Sequence, residues 1–168
     1  MRSLLLALPA LFFLAPDVQA QARAAYTIRN VQTNECLTAL GETSSFVWRN
    51  EPVRLMPCDA KLPRTQLWHL DEVAGYHYYS YRVVSAAGGR VLDIHPSTRR
   101  ATTYPVLPWY QSNQVYDLTG WAQWTFESHQ GGCLDAYYLA YRYGPEVGTW
   151  NCHRGNNQQW MVHWAAEL

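Results

Sequence analysis

Between Gly131 and Trp160 the chain reads GGCLDAYYLAYRYGPEVGTWNCHRGNNQQW, and its chemistry-bearing residues are a carboxylate, an indole and a pair of amides. Asp135 lies two residues after Cys133, and Trp150 lies two residues before Cys152. Side chains alternate along a strand, so residues two apart share a face. If the segments around the two cysteines are antiparallel neighbours joined by a disulfide, with Cys133 opposite Cys152, then Asp135 falls opposite Trp150 on the face that carries the sulfurs. An ionised carboxylate accepts hydrogen bonds from neighbouring hydroxyls. An aromatic plane covers an apolar C–H face. Asn157 and Gln158 follow with amides that donate and accept. Together these groups suit a pyranose with adjacent hydroxyls and one apolar face.

Other chemistries find less support. The six histidines (His69, His77, His95, His129, His153, His163) have no nucleophile motif beside them. His129 with Cys133 and Cys152 with His153 could be offered as a zinc set, but an exported chain favours disulfides over thiolate ligands. Glycoside hydrolysis needs two acids flanking the bond. Near Asp135 the only candidate is Glu146, whose Gly144-Pro145 context reads as a solvated turn. The reading is a binding protein rather than an enzyme, with no metal and no cofactor.

The elements that must position these groups come from the whole chain. Met1-Arg2-Ser3 is a short basic start, Leu4 to Ala15 is apolar, and Val18-Gln19-Ala20 has the small residues of a cleavage site. Residues 1–20 are therefore expected to be a signal peptide, too short to span a bilayer, and 21–168 a single exported domain, extracellular or periplasmic. Formal charge is +0 with one lysine, Lys61, so there is no electrostatic footprint for nucleic acid.

Internal repetition then organises the domain into three units, at about 26–70, 81–126 and 127–164. Unit one holds Cys36-Leu37-Thr38, Pro57-Cys58 and Gln66-Leu67-Trp68; unit two holds Val91-Leu92-Asp93, Trp109-Tyr110-Gln111 and Ala122-Gln123-Trp124. Short strands bounded by Gly, Pro and Asn turns, without a helical period, make the chain all-β. Trp68, Trp124 and Trp160 recur at the unit ends and are expected in the core.

The pattern Cys-Leu-Asp, then Trp-x-Cys, then Asn-Gln-x-Trp resembles the sugar-binding unit of ricin-B-type (R-type) lectins. The resemblance covers nearly all of the mature chain. It implies a β-trefoil of three imperfect four-stranded units, with Cys36 paired to Cys58 and Cys133 to Cys152. It also implies galactose or N-acetylgalactosamine as the sugar class. On this reading unit three is complete, with Asp135, Trp150, Asn157 and Gln158. Unit one has lost its site, because Thr38 and Met56 replace the acid and the aromatic, and Thr65 replaces the asparagine. Unit two keeps Asp93 opposite Trp109 but has Trp121 and Ala122 in place of the amides, so it carries at most a weaker second site. A lone site of this kind would bind in the millimolar range, about −4 kcal/mol, and multivalency would be needed for useful affinity.

The tyrosine-rich stretches at Tyr76–Tyr81, Tyr104–Tyr116 and Tyr137–Tyr143 are either strand filler or an aromatic recognition surface. That excess favours one alternative: a receptor-binding subunit resembling the A and C subunits of cytolethal distending toxin. Its partners would be a toxin catalytic subunit or a host cell-surface glycoconjugate. A trefoil protease inhibitor is a second alternative, and the Asp135–Trp150 pair counts against it.

Overall fold

The computed structural model describes residues 22–41, 50–75, 79–108, 111–137 and 146–168. The expected signal peptide at 1–20 lies outside them. Among the described residues no helix is long and apolar enough to cross a membrane.

Among the described residues twelve strands follow one another in three groups of four. The first group is β1 (Ala24–Asn30), β2 (Cys36–Ala39), β3 (Glu51–Met56) and β4 (Trp68–Glu72). The second is β5 (Ser80–Ser85), β6 (Val91–Ile94), β7 (Ala101–Tyr104) and β8 (Tyr116–Gly120). The third is β9 (Trp124–Ser128), β10 (Cys133–Tyr137), β11 (Glu146–Trp150) and β12 (Trp160–Glu167). The outer strands of each group close a six-stranded ring: β1 pairs β12, β12 pairs β9, β9 pairs β8, β8 pairs β5, β5 pairs β4, and β4 returns to β1. Closure leaves no open edge in the barrel. The chain's first and last strands seal it with a ladder from Ala24↔Glu167 to Asn30↔Trp160.

The inner strands form three hairpins, β2–β3, β6–β7 and β10–β11. They join into a triangle through Glu51↔Thr103, Glu146↔Arg54 and Arg100↔Gly148. This is the β-trefoil that the resemblance implies. Glu146 is not in a solvated turn. It starts β11, is buried, and lies 3.1 Å from Arg100 Nε and 3.6 Å from Arg54 Nη2, so one carboxylate ties hairpins of all three units. A charge this far from water persists because both arginines pay its desolvation.

Alternation fills the core. Leu37, Leu92 and Leu134, the middle residues of the three repeated tripeptides, are each fully buried. Each contributes about 1.5–3 kcal/mol by leaving water. Trp68 and Trp160 are also fully buried, and their indole N–H groups donate to Leu37 O at 2.9 Å and Leu134 O at 3.0 Å. The expected third ring, Trp124, is only half-buried. Tyr116 takes that core place, because Gln114-Val115-Tyr116 is the stretch of unit two that matches Gln66-Leu67-Trp68 and Gln158-Gln159-Trp160. Trp124 instead starts β9, opposite Trp160.

Candidate functional site

Both expected disulfides form, Cys36–Cys58 and Cys133–Cys152. The cysteines offered for a zinc set are therefore not thiolates, and His129 Nε2 instead lies 2.8 Å from Asp117 Oδ1. Among the described residues no group of three His, Cys, Asp or Glu could hold a metal ion.

The register of β10 and β11 differs from the expected one by two residues. Cys133 stands opposite Trp150, and Asp135 stands opposite Gly148. The disulfide runs diagonally to Cys152, which lies just beyond the end of β11. A shift of two preserves the alternation, so Asp135 and Trp150 still share a face. The position directly across from Asp135 carries no side chain. Gly132 makes the close approach possible: it has φ +86°, and a Cβ there would sit 2.7 Å from Trp150 O.

In unit three the carboxylate is held from one side. Asn157 Nδ2 donates to Asp135 Oδ1 and Oδ2 at 3.0 and 2.9 Å, and Gln158 Nε2 donates to Oδ2 at 2.8 Å. Asp135 is 3% exposed, whereas Trp150 is 58% exposed. Gln158 is fully buried and also bonds Asn151 O, His153 N and Arg154 N, so it positions Asp135 and the 151–154 loop. His153 Nε2 is 3.7 Å from Asp135 Oδ2. The loop is anchored from unit one as well: Asn30 Nδ2 donates to Asn157 O and Gln159 O. Sequence reasoning missed Asn30 because its partners lie at the far end of the chain.

Unit two is more complete than expected. Asp93 stands opposite Thr102, not Trp109, and Trp109 lies outside the described residues. Its amides are Asn113 and Gln114, which donate to Asp93 Oδ2 at 2.9 Å each, rather than residues at Trp121 and Ala122. Val91 pairs with Tyr104 as Cys133 pairs with Trp150, so Tyr104 is the aromatic counterpart. Asp93, His95, Tyr104 and Asn113 line a cleft of about 180 Å³, which Asn50 of unit one also reaches. Burial pushes the Asp93 carboxyl above its ordinary value, opposed by the hydrogen bonds from Gln114 and Asn113 and by the nearby His95. Burial, and after it the charge on Asp93, hold the Tyr116 phenol well above its usual range. The tetrapeptide Asn113-Gln114-Val115-Tyr116, set beside Asn157-Gln158-Gln159-Trp160, is the signal that could have located this site.

Unit one retains the frame without the site. Gln66 Nε2 donates to Thr38 Oγ1 at 3.2 Å, where the other units have a carboxylate, and Met56 stands opposite Cys36.

The comparisons agree with this architecture. The ricin-type β-trefoil lectin domain matches residues 24–160. No curated protein matches the chain. Among solved structures, the designed threefold-symmetric protein ThreeFoil is similar at a TM-score of 0.68 and 19% identity, over 83% of this chain and 97% of that one. An exo-β-1,3-galactanase from Clostridium thermocellum is similar at 0.70 and 19% identity, over 89% of this chain but only 31% of its own. The Haemophilus ducreyi cytolethal distending toxin gives 0.63 and 16% identity, over 83% of this chain and 82% of that one. At these identities the likeness is one of fold. The family match supports a glycan-binding role, and the chain belongs to the ricin-type β-trefoil lectin domain family.

Proposed function

We propose that this protein is an exported lectin for galactose or N-acetylgalactosamine-type sugars, binding through Asp135, Trp150 and Asn157 of unit three. Gln158 serves as the positioning residue. The observation that carries the reading is the pairing of a clamped, ionisable Asp135 with an exposed Trp150 on one face, across from a glycine. A pyranose laid on the indole would present adjacent hydroxyls to the lone pairs that Asn157 and Gln158 leave on the carboxylate. Unit two repeats the arrangement with Asp93, Tyr104 and Asn113, and we assign it a second site of the same kind. Two weak sites on one chain raise avidity on a surface dense in glycans. The galactose class rests on the family resemblance, and the galactanase neighbour is compatible with it. A glycan array followed by calorimetry with free galactose tests the reading. Binding confined to other sugar classes, or none, would refute it.

A second reading, a subunit of a multi-component toxin, has one specific observation in its favour. Trp121 is 97% exposed at the β8–β9 turn and, with Tyr79 and Trp124, lines a cleft of about 430 Å³. If that cleft docks a catalytic subunit, the chain purified from its own source will elute in a larger complex that Trp121→Ala releases. Elution as the free chain in both cases removes this reading.

A further inference from the structure

Trp150 borders a second cleft besides the Asp135 site. This cleft, about 340 Å³, is lined by Thr149, Trp150 and Asn151 of unit three and by Thr98 and Arg99 of unit two. Its volume lies within the roughly 300–1,000 Å³ range of ligand clefts. The unit-two wall is fixed by backbone. The turn that joins β6 to β7 closes with His95 N on Arg100 O and Arg99 N on His95 O, each at 2.9 Å. It docks on β11 through Thr149 N on Arg99 O at 2.9 Å and the Arg100↔Gly148 bridge. Arg99 itself is left-handed, at φ +60°.

The chemistry of the cleft is cationic. The Arg99 guanidinium donates to the carbonyls of Gln130 and Gly131, both neutral groups. Among the described residues no carboxylate pairs with it, whereas its neighbour Arg100 is committed to Glu146. Among the described residues no acidic side chain lines the cleft. Two of the five guanidinium N–H groups are used by the carbonyls, and the planar fork suits a carboxylate or a sulfate. An uncompensated guanidinium beside an exposed indole is a site for a ring that bears a negative charge.

We propose that this cleft is a subsite for a second sugar residue carrying an anionic group, carboxylate or sulfate, in a glycan whose neutral residue occupies the Asp135–Trp150 site. The inference rests on the lectin reading of unit three. It extends that reading from a monosaccharide to an acidic glycan, recognised jointly by two units of the trefoil.

The test is calorimetry of the full chain in a Tyr104→Ala background, which silences unit two, with lactose, sialyllactose and sulfated lactose as probes. At least one acidic probe should bind roughly tenfold tighter than lactose, as expected for a charge-assisted hydrogen bond. That preference should shrink as salt is raised. The two acidic probes separate carboxylate from sulfate recognition. Arg99→Asn, chosen because asparagine tolerates the left-handed region, should erase the preference and leave lactose affinity unchanged. Thr98→Glu places a carboxylate on the exposed rim and should reverse the preference, even if Arg99→Asn disturbs the Gln130–Gly131 turn. Equal affinity for all three probes would overturn the subsite and leave the Asp135 site standing. So would a preference that survives both substitutions. Failure of lactose and both acidic probes to bind would remove the unit-three reading and the subsite together.

Discussion

The side-chain amide of Gln158 donates to Asp135 Oδ2 at 2.8 Å, and its remaining bonds go to the backbone of Asn151, His153 and Arg154. One buried amide therefore sets both the carboxylate and the loop beyond the disulfide. The same device recurs in unit two, where Gln114 bonds Asp93 and the backbone of Pro105 and Leu107.

Gln158→Leu should consequently cost stability as well as binding. It leaves the buried Asp135 carboxylate with one donor fewer and the partly buried N–H groups of His153 and Arg154 without their acceptor, at about 1–3 kcal/mol for the affected buried group. Thermal unfolding should drop by several degrees, since each kcal/mol moves a domain of this size by roughly 2–4 °C. Sugar binding by unit three should be lost, while a Tyr104-dependent component persists. A variant with parental Tm and parental affinity would show that the amide does not organise the site.

How much of this was legible follows from particular residues. Leu134 between Cys133 and Asp135, and Trp160 two residues after Gln158, carried the fold, because inward leucines and unit-end rings recur at similar spacing whatever the loops do. Asp135 and Trp150 were placed on one face correctly through an incorrect register. A disulfide need not join directly opposed residues, and Cys152 sits past the end of its strand. Unit two was misread because Trp124, an indole after a glutamine, outweighed Tyr116. The decisive spacing runs from the aspartate to the glutamine: 21 residues for Asp93–Gln114 and 23 for Asp135–Gln158. The role of Asn30 depends on barrel closure between the first and last strands, which no local pattern announces.

Two equivalent sites make a stoichiometry prediction. Trp150→Ala should remove one site and leave calorimetric binding at one sugar per chain. Tyr104→Ala should do the same from the other side, and the double variant should not bind. Because Trp150 is largely exposed, its truncation should move the melting temperature little. Complete loss of binding in Trp150→Ala alone would show that Asp93 and Tyr104 do not form a working site.

Unit two should also lose affinity in acid. Burial raises the Asp93 carboxyl, so it takes up a proton at a higher pH than an exposed carboxylate does. The protonated acid gives up its charge and one acceptor oxygen. Affinity measured in a Trp150→Ala background should therefore be full at neutral pH and fall as pH drops through that raised value. Stability runs the other way. A carboxyl raised in the folded state binds its proton more tightly there than in the unfolded chain, so this contribution is present at low pH and fades as pH rises. The positive charge on His95 opposes the shift, so His95→Gln should move the loss of binding to higher pH. An acid limb that His95→Gln leaves in place would break the assignment to Asp93.

Reduction should separate the two sites. The Cys133–Cys152 disulfide closes a loop of sequence separation 19 and fastens the end of β11 beside the 151–154 loop. Unit two has Val91 and Val106 at the corresponding positions, Val106 lying two residues past Tyr104 as Cys152 lies two past Trp150, and relies on its ladder and on the amides of Asn113 and Gln114. Each disulfide is worth about 3 kcal/mol in the chain-entropy model. A Cys133→Val, Cys152→Val variant, which copies the unit-two residues, should fold with a lower melting temperature. Its unit-three affinity should fall, because the loop that presents backbone N–H groups to Gln158 is no longer fastened and Asp135 loses its fixed partner. Binding that depends on Asp93 and Tyr104 should be unchanged. If both sites weaken equally, the disulfide acts on the whole trefoil. If neither weakens, the amides of Asn157 and Gln158 are sufficient to hold Asp135, as those of Asn113 and Gln114 are for Asp93.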